Sequence, residues 1–210
     1  MSLLTIAFIC YRDKLGIMEA KLLDNYSVSP LSKEDYDSFR ALHEPVIFPN
    51  RFDLNSSGAL STEEKEGIRK RSATWKVQYE LRLGFYCGSE PVGWSYGYQF
   101  THDTFRMATT GILQAHQRHG LYSAFLRELS AFLKKEGFQV ILSRHYATDN
   151  QVIIPKLRFG FLISGFELTD DFGLLLRLSY YFNETRRNAL HMRSGFQQPN
   201  EEVTRLIRRY

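Results

Sequence analysis

The stretch from Phe105 to Gly137 changes its hydrophobic period part-way, and that change constrains the fold more than any other feature. Phe105 to Leu113 reads as a strand, whereas from Gln117 onward Leu121, Phe125, Leu129 and Phe132 fall on one helical face, with Arg127, Ser130 and Lys134 elsewhere. Lys134, Lys135 and Gly137 then place cations and a glycine stop at the end of the helix. A strand passing through a tight turn straight into an amphipathic helix belongs to a mixed α/β chain.

The rest of the chain fills in around this unit. Tyr26 to Pro30 reads as a short strand, and Ser32 caps a helix running to about His43. Pro45 to Gly58 mixes Pro, Asn, Ser and Gly and is expected to be loop; Ser61-Thr-Glu-Glu64 has the capping-box pattern and opens a second helix toward Trp75. Lys76 to Tyr86 alternates apolar and polar residues with the period of a half-buried strand. After a turn at Cys87 to Pro91, Val92 to Phe100 forms its antiparallel partner, followed by the strand Phe105 to Leu113. Val140 to Ser143, Phe161 to Leu168 and Leu174 to Phe182 read as later strands, and Asn150 to Arg158 as a short helix containing Pro155. The predicted order is β, αα, βββ, α, β, α, ββ: an antiparallel front half and one strand-helix-strand crossover behind it.

With 210 residues, 43% hydrophobic and 24% charged, the chain suits one well-cored domain and excludes disordered and fibrous classes. The net charge of +4 favours an anionic ligand without naming one. Cys10 and Cys87 have no metal-ligand spacing and read as reduced thiols, which points to the cytoplasm; no metal site is expected. The apolar run Leu3 to Tyr11 is too short to span a bilayer, so no membrane partner is expected. Residues 1–25 read as an N-terminal appendage, 26–182 as the main domain and 183–210 as a basic tail. The tail lacks aromatic interleaving, so a solvated end is expected rather than a nucleic-acid surface.

The chemistry concentrates in Thr110-Gly-Ile-Leu-Gln-Ala-His-Gln-Arg-His-Gly120-Leu-Tyr-Ser123. The first backbone N–H groups of a helix have no intrahelical partners and sit at the positive end of its dipole, so they make a ready anion site. Gly120 lets a ligand approach the main chain, and Arg118 and His119 add cationic donors.

A second stretch, Asn150-Gln-Val-Ile-Ile-Pro-Lys-Leu-Arg-Phe-Gly160-Phe161, lies beyond it. Together with Gln117-Arg-His-Gly120-Leu-Tyr122 and the opening Tyr26 to Asp35, it resembles the GNAT superfamily of acyl-CoA-dependent N-acetyltransferases across Tyr26 to Phe182. The resemblance implies a twisted, mostly antiparallel mixed sheet flanked by helices, an α/β (α+β) fold. It also implies transfer of an acetyl or short acyl group from acetyl-CoA, as cosubstrate, to a primary amine on a small molecule or peptide. By that resemblance the pyrophosphate lies on the N–H groups of Arg118, His119, Gly120, Leu121, Tyr122 and Ser123, with Gln117 opening the motif. The pantetheine arm pairs with the main chain near Ile112 and Leu113, an N–H near Leu113 stabilises the oxyanion, and Asn150 holds the arm from the other side.

The sequence departs from the family pattern in two places. Tyr122 stands where a small residue is usual, and Leu157 where many members carry a tyrosine acid. Tyr146 is therefore the candidate acid, with His145, His102 and Asp103 as weaker candidates for a base. Two alternatives stay open: a coenzyme-binding module without turnover, and an RNA- or ribosome-associated protein using the basic tail. The oligomeric state, a homodimer among the options, is left open by the sequence.

Overall fold

Four helices begin under side-chain caps that the sequence supplies. The computed structural model describes residues 16–49, 55–74 and 79–207. Helix α1 (Lys33–Ile47) starts under Ser32, whose Oγ accepts from the Asp35 N–H at 3.0 Å. Helix α2 (Thr62–Ser72) starts with the reciprocal bonds of a capping box between Ser61 and Glu64. α1 continues through Pro45, so the predicted loop begins later than expected. Arg40 pairs with Glu44 one turn below, and Phe39 packs edge-on against Trp94 of the sheet, so tertiary packing holds the turn that proline weakens.

The strands are β1 (Ala20–Leu23), β2 (Tyr26–Pro30), β3 (Glu80–Cys87), β4 (Glu90–Gln99), β5 (Thr104–Ile112), β6 (Val140–Tyr146), β7 (Leu162–Thr169) and β8 (Gly173–Tyr181). They form one eight-stranded sheet in the order β1-β2-β3-β4-β5-β6-β8-β7. All neighbours are antiparallel except β5 and β6, which are parallel. Parallel neighbours require a crossover, and helix α3 (Leu121–Lys135) supplies it. Its buried Leu121, Phe125, Leu129 and Leu133 recur at helical spacing, and Phe125 meets Phe85 of β3 edge-on at 4.8 Å. Each such side chain removed from water stabilises the fold by about 1.5–3 kcal/mol.

The boundaries at both ends of the main domain need correction. Residues Met18 to Leu23 are not an appendage: β1 pairs with β2, and Met18 and Leu22 are buried in the core. Cys10 and Trp75, and residues Lys76 to Gln78 of the predicted strand, lie outside the described residues. The basic tail is folded as α5 (Glu184–Arg193) and α6 (Glu201–Arg205), capped by Asn183 and Asn200. Arg186 pairs with Asp103 at 2.9 Å, and Val203 is buried, so this segment packs on the domain.

Helix α4 (Asn150–Phe159) runs through Pro155 and ends where Gly160 turns left-handed at φ 112°, with Phe161 N–H closing on the Lys156 carbonyl. Only Ile153 and Lys156 on α4 are buried, three residues apart and therefore on the same side.

Candidate functional site

The central parallel pair is zipped for only part of its length. Its rungs run from Thr104↔Val140 to Met107↔Ser143 and stop, although β5 continues to Ile112 and β6 to Tyr146. β5 stays paired with β4 as far as Gly93↔Ile112, and β6 with β8 as far as Tyr146↔Leu175. Two strands held by their outer neighbours but not by each other leave a groove in the middle of the sheet.

A bulge explains the parting. Tyr96 pairs with Thr109 and the next residue, Gly97, with Met107, so Ala108 is an extra residue in β5. A bulge bends the strand and increases its twist. Ala108, in the fifth strand of an eight-stranded sheet, is exposed as a result.

The edge of β5 facing the groove carries main-chain donors. Leu113 N–H donates to Val92 O at 2.9 Å, so it points toward β4. Alternation then turns the N–H groups of Ile112 and Thr110 toward the edge that β6 leaves. Two expectations are corrected here. The Leu113 amide is engaged by β4 and is no oxyanion donor. Gln117 donates from its side chain to the Ile112 carbonyl at 2.8 Å, and its own N–H closes a turn on Gln114, so it ties the loop to β5.

At the mouth of the groove the chain turns into α3. Arg118 has φ 63° and Gly120 φ 82°, two left-handed residues with His119 between them. Arg118 is the only non-glycine with positive φ among the described residues. Successive N–H groups in such a conformation converge on a concavity suited to an anion. Gly120 caps α3 without any side-chain bond, and the first helical bond is Ala124 N–H to Gly120 O at 3.0 Å. Among the described residues nothing accepts from the N–H groups of Leu121, Tyr122 and Ser123. A Cβ at Gly120 would meet nothing within 4 Å, so the cap position itself is open.

Tyr122 does not block that space. Its hydroxyl end lies inside the protein beside Asp149, and burial raises the phenol well above its ordinary range. Asn150 is exposed at the first position of α4, with its N–H on the Thr148 carbonyl. Nearby, His116 Nδ1 lies 3.0 Å from the Tyr26 hydroxyl, a bond that anchors the loop. Among the described residues no group of three or more potential metal ligands gathers.

The two faces of the groove differ. Alternation along β6 places Ser143 and His145 on the side covered by α3 and α4, and Arg144 and Tyr146 on the other. On the α4 side, His145 Nε2 lies 3.1 Å from Ser143 Oγ. Burial and the neighbouring Lys156 push the imidazole down to about 2, so it stays neutral and takes a proton poorly. On the other side Tyr96 donates to Glu80 at 3.2 Å and stacks near Tyr98, while Arg144 is paired with Glu167.

Lys156 is the residue that sequence reasoning missed. Leu157, the expected counterpart of the tyrosine position, is exposed, while Lys156 beside it turns inward at 1% exposure. The i, i+3 spacing with Ile153 was visible in the sequence, but a lysine there reads as solvated unless the neighbouring face is known.

No family model matches the chain, and no curated protein does. Solved structures do. An acetyltransferase from Salmonella typhimurium that modifies the N-terminal serine of a 50S ribosomal protein superposes with TM-score 0.56 at 11% identity, over 80% of this chain and 100% of that one. YncA of the same species, solved with acetyl-CoA, gives 0.54 at 12% identity over 77% and 96%. A GNAT-family acetyltransferase from Streptococcus pneumoniae gives 0.53 at 14% identity over 75% and 99%. The chain has the GNAT fold, with the eight-stranded, mostly antiparallel sheet and flanking helices described above.

Proposed function

We propose that this chain is an N-acetyltransferase that moves an acetyl or short acyl group from coenzyme A to a primary amine by direct attack. The observation that carries the reading is the conjunction of a half-unzipped parallel pair with an uncapped left-handed turn at its open end. The neighbouring structures, one of them solved with acetyl-CoA, support it.

A bound thioester supplies an activated acyl carbon. The N–H groups of Leu121, Tyr122 and Ser123, with those of the Arg118–Gly120 turn, would hold the pyrophosphate. The N–H groups of Thr110 and Ile112 would pair with the tether as an added strand does, with Asn150 facing it across the groove. The acceptor amine has an ordinary pKa near 10.4 and must lose a proton before attack. Tyr146, ending β6 on the face opposite His145, is the candidate acid on that face. Ser143 and His145 look like a nucleophile and its base, but an imidazole held neutral so far down is a weak base, which favours direct attack over an acyl-enzyme.

The test is calorimetric binding of coenzyme A, together with thiol release from acetyl-CoA in the presence of a panel of amines. The native chain should bind and turn over at least one amine. Gly120→Trp, which fills the space over the amides, should weaken binding by about 100-fold or more, near 2.7 kcal/mol. Unchanged affinity in that variant removes the site assignment. Binding without turnover on any amine leaves a coenzyme-binding module.

A further inference from the structure

Lys156 is the one charged side chain that is buried among the described residues. Its Nζ lies 3.6 Å from Met107 Sδ and 4.9 Å from the centre of the Phe161 ring, and it forms no ion pair or hydrogen bond with a carboxylate. A buried ammonium without an anionic partner destabilises a fold, so a purely structural role does not account for it.

Its location is specific. Met107 forms the last rung of the β5–β6 pair, and the next residue is the exposed, bulged Ala108. Lys156 Nζ therefore stands at the closed end of the groove, whereas the uncapped α3 amides stand at the open end. A tether anchored by its phosphates at the amides, and laid along the β5 edge past Ile112 and Thr110, brings its far end to Met107.

We propose that Lys156 is a catalytic residue that protonates the departing sulfur, a role that rests on the acyl-transfer reading above. The amine nitrogen bonds to the acyl carbon, the carbon–sulfur bond breaks, and its electron pair goes to sulfur. The Nζ–H proton moves to sulfur to give the free thiol. The nitrogen's extra proton leaves to solvent, and Lys156 recovers one from solvent after the thiol departs.

The charges around Lys156 suit this task. Burial holds its ammonium down to about 7, and Asp149, from the turn before α4, opposes that shift. His145 faces it from β6 and is neutral, Tyr122 of α3 faces Asp149, and β5 contributes only Met107. An amine near 7 both carries and gives up a proton at neutral pH.

The test compares the native chain with Lys156→Met, whose thioether fits the apolar surroundings of Met107 and Phe161. Coenzyme A affinity should stay within about threefold, while kcat falls about 100-fold and its descending limb near pH 7 disappears. Independently of turnover, the thiol of bound coenzyme A, followed by thiolate absorbance against pH, should titrate lower in the native complex than in the variant. A native kcat in Lys156→Met, or identical thiol titrations in the two complexes, overturns the proposal. A native chain that binds coenzyme A but acylates no amine sinks the functional reading alone, since the thiol titration still reports whether Lys156 reaches the sulfur. A native chain that binds no coenzyme A overturns both.

Discussion

Helices α1, α2, α5 and α6 each start under a side-chain oxygen 2.9–3.2 Å from an N–H of the first turn. α3 starts under none, although it carries the most buried side chains of the six helices and its first turn abuts the groove; α4, after Asp149, also has no side-chain cap. The chain thus places Ser or Asn under four of these six helices and a glycine at the start of α3, where the amides remain available. Glycine at a cap costs only a few tenths of a kcal/mol against a capping side chain, so leaving α3 bare is a small sacrifice of stability. The same contrast recurs inside the domain. The buried hydroxyls of Ser95 and Ser179 are bonded to Thr110 and Ser164, while the buried amine of Lys156 has a thioether and an aromatic ring beside it.

The strongest way to break this contrast is to give α3 a cap of its own. Gly120→Asp places a carboxylate among the free amides, in a left-handed conformation that Asp tolerates. Coenzyme A affinity measured by calorimetry should fall about 100-fold, near 2.7 kcal/mol. Unaltered affinity would mean that the amides are not the anion site.

The next largest effect concerns Lys156 and pH. Its ordinary value of 10.5 is lowered to about 7 in the fold, so between those limits the unfolded chain binds more protons than the native one. Stability should therefore rise as pH goes from about 7 to about 10, by an amount on the order of a few kcal/mol. In Lys156→Met that rise should vanish, with the variant the more stable protein at pH 7; melting temperatures across this range decide it.

Smaller again is Tyr146→Phe, expected to lower kcat about tenfold with coenzyme affinity intact. Full activity there ends its candidacy. Ser61→Ala sharpens the contrast from the other side: it should cost about 1 kcal/mol, or roughly 2–4 °C of melting temperature, with no change in coenzyme A binding.

The helix starts were legible because caps are local chemistry: Ser32, Ser61 and the turn at Gly120 each act within four residues of themselves. The sheet was legible for the same reason, since the alternation in β3 and the period change before α3 are short-range signals. What stayed hidden needed partners distant in sequence. Met18 and Leu22 looked like an unattached lead-in until β2 and α3 were in place to cover them. Pro45 stopped the predicted helix because the packing of Phe39 on Trp94 is not written near it. At the site, the amide turn could be read from Gly120, but the engagement of Leu113 by Val92 depends on strand register, and the inward turn of Lys156 on how α4 lies over β5.

The extra residue at Ala108 fixes the parity of everything that follows it in β5. Upstream, Phe105 and Met107 face α3 and α4; downstream, the count is offset by one against β4, so Thr110 meets Ser95 and Gly111 lies against the Trp94 ring, where a Cβ would sit 2.6 Å away. Deleting that one alanine would leave the pairings of Thr109 to Ile112 with β4 in place but remove the bend, letting the ladder close onto β6. A single alanine thus keeps the sheet ajar.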